Sequence, residues 1–500
     1  MTRVSSADQS MSELELKFQV PADVVASLRT ELRRHRARSV RLLAHYYDTP
    51  DFALAQKGLS LRLRHEGRRW VQTLKAEGRS AVERLEHNVP RGRSAAQPTL
   101  DPNRHDGTDS GSVLRDALAD ARVPRLAVRF STEITRLVCE LRLRDAIIEA
   151  AFDEGSIKAG ARTTPVSELE LEHKSGNTKA LFELAKAWSA FGGLSLNTLS
   201  KAARGVNLAR AVAHGPATKA GKPELHAHMS GPQFLRAVLR STLDQVLANT
   251  SEIASGSTDE EHVHQLRVGL RRLRTALREL GSLDQQVDAA WEAPLAQVFG
   301  QLGEVRDSVT AARAVRPLLE EAHAPKLEWA GATGVDLVAT VRDPAFQGAL
   351  IDLLGFALQE VEADPPRQAH AQLLEHLRTR LGKLHKRVGA ASGQFETLPI
   401  EDQHRTRKRL KRLRYVAEFA ALLFAPSAAK RYLAHLEPAQ DALGKHIDIS
   451  VALARFRADA QSDAQALFAV GFLEAYLEKT ARIARAALNE VARARPFWKH

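Results

Sequence analysis

At 500 residues the chain is too long for one ordinary core, so two or more domains are expected. Its 72 Lys and Arg against 60 Asp and Glu leave a net charge of +12, which points to an anionic partner such as nucleic acid, a membrane surface or a phosphate polymer. Aromatic residues make up only 5%, too few for a stacking platform for single-stranded nucleic acid, so the electrostatics favour phosphate over bases. Cys139 is the single cysteine, which excludes an intrachain disulfide and fits a reducing compartment. Neither a secretory leader nor an apolar run near the about 18 residues of a membrane span is seen, so a soluble cytoplasmic protein is expected.

In chain order, the polar residues 1–10 read as disordered, and Glu13 to Lys17, alternating charge with leucine, predicts a strand. Pro21 to Arg36 has helical spacing through Val24, Val25, Leu28 and Leu32, and Val40 to Tyr47 returns to strand before a turn at Asp48-Thr49-Pro50. Strands are predicted at 59–66, 69–76 and 82–89, then a loop from Arg91 to Gly111. A short helix over 112–120 leads to strands at 126–141 and 145–153, a turn at Asp153-Glu154-Gly155, an acidic strand at 166–174 and a helix from Thr178 to Phe191. Residues 11–212 thus read as an α+β domain, mostly sheet with helices in the connections, and 213–230, with Gly215, Pro216, Gly221 and Pro223, as a linker. From 231 to 497 the pattern is all-α, with helices at 232–249, 259–281, 284–302, 305–321, 344–361, 367–389, 399–425, 428–443, 447–460 and 464–492.

The chemistry of the first half lies in its alternation. On a strand, Glu13, Glu15 and Lys17 share one face while Leu14 and Leu16 take the other, and Glu168, Glu170 and Glu172 repeat the arrangement opposite Leu169 and Leu171. Neighbouring carboxylates repel unless a cation lies between them. Between the two acidic strands, Arg62 and Arg64, then Lys75, then Arg84 and Glu86 occupy polar faces in the same way. A sheet this densely charged with both signs makes sense if it curls and turns those faces inward onto a polyanion and its metal ions, which also removes its edges.

The second half carries an internal repeat. The segment from His264 to Arg274 recurs from His404 to Arg414, and Leu302-Gly303-Glu304-Val305-Arg306-Asp307 recurs as Leu443-Gly444-Lys445-His446-Ile447-Asp448. The histidines are offset by 140 residues and the glycines by 141, which indicates two duplicated helical bundles, about 231–362 and 363–497. Ile447 stands where the first copy has Arg306, so the second glycine turn is expected to meet an anion differently. His264, Arg267, Arg271, Arg274 and Arg278 are spaced by 3, 4, 3 and 4 and form one cationic stripe; His404, Arg407, Lys411 and Arg414 copy it. Like charges one turn apart destabilise a helix by roughly 0.2–0.5 kcal/mol per pair, so a duplicated seam calls for an external anion, a solvated basic face being the bland alternative. His264 and His404 read as phosphate donors ahead of core histidines, and metal ligation fits their spacing least.

These residues resemble known families. Residues 11 to about 206 resemble the CYTH, or triphosphate tunnel metalloenzyme, superfamily through the Glu13 to Lys17 start, Tyr46-Tyr47-Asp48-Thr49, Leu61 to Arg64, Thr73-Leu74-Lys75, Arg84-Leu85-Glu86, Arg136, Asp153-Glu154-Gly155, Ser167 to Glu172 and Ser200 to Gly205. Residues from about 230 to 495 resemble the CHAD domain, and the tandem is similar to bacterial inorganic triphosphatases. The resemblance implies an eight-stranded antiparallel β tunnel with flanking helices that hydrolyses triphosphate with Mg²⁺ or Mn²⁺, expected as two ions. It implies metal ligands at Glu13, Glu15, Asp153, Glu170 and Glu172, with Glu168 beside them. Phosphate would be gripped by Lys17, Arg62, Arg64, Lys75, Arg84, Arg136 and Lys201, with Lys17, Glu15 and Lys75 at the chemical step and the proton acceptor left open. The CHAD likeness implies inorganic polyphosphate binding, carried by His264, Arg267, Arg271, Arg274, His385, Lys386, His404, Arg407, Lys408, Lys411 and Arg414, and association with polyphosphate granules. A non-catalytic polyphosphate binder, and turnover of thiamine triphosphate or nucleoside triphosphates, including cyclisation of ATP, stay open; nucleic acid is the weak alternative.

Overall fold

A computed structural model describes residues 11–78, 82–189, 192–325, 334–361, 367–461 and 463–499, so the disordered reading of residues 1–10 lies outside the described residues. Nine strands, β1 (Met11–Gln19), β2 (Arg38–Asp48), β3 (Leu59–Glu66), β4 (Arg69–Glu77), β5 (Glu83–Pro90), β6 (Ala127–Arg142), β7 (Ala146–Ala159), β8 (Arg162–Gly176) and β9 (Ser195–Leu196), join in the order β5-β4-β3-β2-β6-β7-β8-β1-β9. All pairs are antiparallel. β1 closes the sheet by dividing its length: Met11–Leu14 pair with β5 and Glu15–Gln19 with β8, so eight strands form a barrel without a free edge. The ninth, the two-residue β9 against Phe18 and Gln19, has no counterpart in the eight-stranded expectation. A second difference concerns Asp153-Glu154-Gly155, expected as a turn, which lies inside an unbroken β7. Gly155 has φ +156°, and a Cβ there would stand 2.0 Å from the Glu133 carbonyl oxygen, so its glycine serves a close strand approach and not a chain reversal.

The alternation is realised as two environments. Leu16, Leu61, Leu63, Leu74, Leu169 and Leu171 are fully buried on the outer face, where α2 (Ala53–Gln56) and α3 (Asp109–Asp120), which follow α1 (Val25–Arg34), lay Leu54, Leu114 and Ala117 over Leu59, Leu61 and Leu74. The Asp48 carboxylate accepts the N–H groups of Leu54 and Ala55 at 3.0 Å each and so fixes the turn into α2. Past α4 (Lys179–Ser189), α5 (Lys201–Ala209) begins at Ser200, whose Oγ accepts the Ala203 N–H at 3.0 Å. Its Ala202 and Val206 pack on Ala44, Tyr46, Phe130, Ile134, Ile157 and Val166, positions of the same strand parity as Arg136, Asp153 and Glu168. α5 therefore fills part of the barrel interior, and Gly205 is required there because a Cβ would come within 2.1 Å of the Phe130 ring.

The rest is helical: α6 (Gly231–Ala254), α7 (Glu260–Leu280), α8 (Glu292–Glu321), α9 (Leu337–Val341), α10 (Pro344–Leu358), α11 (Arg367–Ser392), α12 (Ile400–Ala420), α13 (Pro426–Asp459) and α14 (Ala466–Arg493). The predicted pairs 284–302 with 305–321 and 428–443 with 447–460 are corrected: each is one continuous helix, α8 or α13, and Gly303 and Gly444 lie inside them and not in turns. The chain falls into two compact units, one comprising the chain up to Lys219 with Leu243–Leu266 and Val341–Gln359, the other Ala220–Thr242, Arg267–Thr340 and the chain from Glu360 on. In the first unit the Gln347 side chain of α10 accepts the Leu196 N–H at 2.8 Å, so helical segments from late in the chain support the edge of the sheet. In the second, the two repeat helices hold each other by near-reciprocal ion pairs, Arg272 with Glu418 at 3.0 Å and Arg412 with Glu279 at 3.3 Å; Arg272 and Arg412 are themselves 140 residues apart.

Candidate active site

Inside the barrel, a cavity of about 920 Å³ is lined by Glu13, Glu15 and Lys17 of β1, Arg62 and Arg64 of β3, Lys75 of β4, Glu86 of β5, Arg136 of β6, Asp153 of β7, Glu170 and Glu172 of β8 and Lys201 of α5. Period two puts each of the strand residues on the inner face, and antiparallel register brings them together: Glu15 stands opposite Glu172, Lys17 opposite Glu170, Arg136 opposite Asp153 and Lys75 opposite Glu86. Of the expected site residues, Glu168 is fully buried beneath this wall, and the Arg84 backbone faces Glu13 while its side chain lies outside the described residues.

The charges sort into two groups. Arg136 donates to both oxygens of Asp153 at 2.7 Å and to Glu170 at 2.5 Å, while the Lys201 ammonium reaches Asp153, Glu168 and Glu170 at 2.8, 2.6 and 2.7 Å. Burial alone would raise Asp153 and Glu170, but the Lys201 and Arg136 charges outweigh it and hold both carboxyls below their usual range. For Glu168, whose partners are Lys201 and Arg204, burial prevails and its pKa is raised. Further along β1 and β8 the balance shifts towards negative. Burial, opposed by Lys75 and reinforced by the Glu86 and Glu172 carboxylates, pushes Glu13 up to about 7. Glu172 is raised by burial with Glu15 and Glu149 adding to it, despite an ion pair to Lys174 at 2.6 Å.

Opposite these acids, Arg62 donates Nη1 to the Tyr46 hydroxyl at 3.2 Å, lies 3.9 Å from Glu86, and keeps a buried Nε with no partner among the described residues. Lys75 pairs with Glu86 and lies 3.6 Å from Glu13; Arg64 pairs with Glu66, and Lys17 with Glu15 at 3.0 Å. Among the described residues no three His, Cys, Asp or Glu side chains converge as a closed metal cage. The donors are nevertheless all carboxylate oxygens, and Glu13 and Glu172 stand near further carboxylates, Glu86 and Glu15, a repulsion that a hard divalent cation completed by ligand oxygens would relieve. Sequence reasoning missed Tyr46, Glu149 and Lys174 as wall residues, although each extends a period-two run already in view. It also missed Asp244, Ala248 and Glu252 of α6 on the same wall, for which the local sequence carries no signal.

The cationic seam is only partly a wet surface. On α7, Arg267 is 4% exposed, and the guanidiniums of Arg267, Arg271 and Arg274 lie 4.8, 5.3 and 5.3 Å from the centre of the Phe299 ring on α8. Arg274 also donates twice to Glu292, at 3.0 and 2.7 Å. On α12, Arg407 lies 3.7 Å from Asp448 and Arg414 3.4 Å from Glu418; His404 and Lys411 are half-buried and Lys408 is exposed. His264 is half-buried on α7, and on α11 Lys386 is exposed while His385 bonds the Tyr432 hydroxyl at 2.9 Å and packs against Trp498, which gives that histidine a structural partner.

Compared with known families, residues 11–206 match the CYTH domain and residues 237–457 the CHAD domain. An inorganic triphosphatase of Haemophilus influenzae is 29% identical over 203 residues, covering 39% of this chain and 54% of its own, so the chain spans about half the length of this curated relative. Among solved structures, the CHAD domain of the plant Ricinus communis is similar at 24% identity and TM-score 0.40, over 56% of this chain and 98% of that one. A Hippeastrum protein described as revealing a dominant triphosphatase activity is similar at 16% identity and TM-score 0.27, over 40% of this chain and 96% of that one. No described helix is long and apolar enough to cross a membrane. With a closed, charge-lined barrel in its first half and a duplicated array of helices in its second, the chain is a CYTH domain followed by a CHAD domain.

Proposed function

We propose that the barrel hydrolyses inorganic triphosphate to pyrophosphate and phosphate with Mg²⁺ or Mn²⁺, and that the helical half binds inorganic polyphosphate. The observation that carries the first part is the cavity of about 920 Å³ lined by interleaved cations and carboxylates, with a buried Arg62 Nε that lacks an acceptor among the described residues. Arg62, Arg64, Lys75 and Lys17 bind and orient the phosphate chain, their charges opposing its negative oxygens. Glu13, Glu15 and Glu172 would hold divalent metal, which when bound neutralises phosphate charge and lowers the pKa of a coordinated water. Arg136 and Lys201 serve first as counter-ions that hold Asp153, Glu168 and Glu170 in place. The charged side chains lining the cavity are largely withdrawn from solvent, so these charges act in a medium less screening than bulk water.

Triphosphate, thiamine triphosphate, ATP and long polyphosphate, each with Mg²⁺, Mn²⁺ or Ca²⁺, form the direct test, read as phosphate release. Triphosphate is expected to be the preferred substrate, and Glu15→Gln to lower its turnover by about 100-fold or more. Turnover indifferent to that change rejects the metal role of Glu15, and tight polyphosphate binding without release under any metal favours a binding protein. For the helical half, the double reversal Arg271→Glu with Arg274→Glu is expected to weaken polyphosphate binding and leave triphosphate turnover intact.

A further inference from the structure

We infer that Phe299 is a positioning residue for phosphate-chain binding: its ring gathers three guanidiniums into one fan, and the first repeat is therefore the stronger anion subsite. The inference rests on the polyphosphate reading above. α8 meets the α7 seam with three different chemistries at 292, 299 and 303, which by their spacing of 7 and 4 fall on one stripe of the helix. Glu292 anchors Arg274 through two hydrogen bonds, the Phe299 ring face carries Arg267, Arg271 and Arg274, and Gly303 leaves a notch for Arg267, whose Nη1 would lie 2.6 Å from a Cβ there. Glu292 already answers the Arg274 charge, so it is Arg271, between its two neighbours on the ring, whose charge an added anion would answer. The Arg271 guanidinium, at the centre of the fan, makes no hydrogen bond or ion pair among the described residues; it lies against the ring, and its donors suit phosphate oxygens.

The second repeat lacks this device. The notch is retained, with Gly444 facing Arg407 at 3.8 Å, but Gln440, at the 141-residue offset from Phe299, replaces the phenyl ring, and its Nε2 is buried without a partner among the described residues. The two copies thus share a cationic sequence and differ in what lies beneath it.

The test is titration of the full chain with linear polyphosphate over a range of salt concentrations, following circular dichroism to establish folding. Phe299→Leu keeps every charge, so it is expected to raise Kd about fivefold with an unchanged slope of log K against log salt, whereas Arg271→Gln is expected to raise Kd and lower that slope by about one. Gln440→Phe, which places a ring under the second seam, is expected to lower Kd by about two- to fivefold. Phe299→Leu with wild-type Kd, or with the slope loss of Arg271→Gln, overturns the proposal, and so does a folded Gln440→Phe that binds no more tightly. Absence of polyphosphate binding by the unaltered chain would sink the earlier reading itself, a result separable from failure of Phe299 alone.

Discussion

The tunnel and the seam both concentrate cations, yet they neutralise them in opposite ways. In the barrel, Lys201 and Arg136 are surrounded by Asp153, Glu168 and Glu170 within 2.5–2.8 Å, because charges enclosed on all sides must be matched by the protein or by what it binds. On α7, the Arg271 guanidinium rests on an aromatic ring with no carboxylate partner among the described residues. An enclosed site is built as a balanced set from which one member cannot be removed, while an open face can keep a cation in reserve for an external anion.

The sharpest way to break this comparison is to delete one cation from each region. Lys201→Met leaves three buried carboxylates without their shared ammonium and is expected to destabilise the first unit by about 3–5 kcal/mol. Arg271→Met should cost no more than about 1 kcal/mol. Urea unfolding of each variant checks this, and comparable losses would mean that the seam arginine is as structurally committed as the tunnel lysine.

The inner face of the tunnel is legible in the sequence for a physical reason: period two leaves no choice of side once leucines take the core, so Glu13, Glu15, Lys17, Arg62, Arg64 and Lys75 can only face inward. Partnership was not legible, since which acid Lys201 meets depends on how α5 enters the barrel, a tertiary fact. Glycine misled twice. Gly155 and Gly303 look like punctuation in one dimension, but both make room, for the Glu133 carbonyl in one case and the Arg267 guanidinium in the other. Phe299 escaped notice because a lone phenylalanine amid helical residues reads as ordinary core.

Acid provides a smaller but sharper contrast. Each unit has a buried histidine lowered to about 4: His105, by burial and the neighbouring His87 with Nδ1 atoms 2.9 Å apart, and His446, by burial, between Thr480 at 3.0 Å and Gln403 at 2.7 Å. A histidine neutral when folded and protonated when unfolded makes stability fall as pH drops from about 6.5 towards 4, by at most about 1.4 kcal/mol per pH unit for each. Glu13 works in the opposite sense: held at about 7 against an ordinary 4.5, it binds its proton more tightly when folded and makes stability rise over the same fall in pH. The second unit, where burial also lowers His376 and His385, is therefore expected to weaken between pH 6.5 and 4.5, while in the first the raised Glu13, Glu168 and Glu172 oppose His105, so that Glu13→Gln should make its stability fall more over that range. Hydrogen exchange resolved by segment across that range checks both, and a level second unit would refute the role given to His446.

The finest test lies within the repeat itself, at its two mid-helix glycines. Alanine is favoured over glycine in a helix interior by about 1 kcal/mol, so Gly444→Ala, whose new methyl meets Arg407 at an ordinary 3.8 Å, should stabilise the second unit by about 0.5–1 kcal/mol. Gly303→Ala gains the same propensity but must displace Arg267, which is 4% exposed and held against Phe299, and the two effects should roughly cancel. A difference of about 1 kcal/mol between the variants in thermal unfolding, with polyphosphate affinity lowered only by Gly303→Ala, is expected from an occupied notch in the first copy and a loose one in the second. Equal behaviour of the two would show that the arginine side chain simply swings aside, and that the copies differ in sequence without differing in the constraint on their cations.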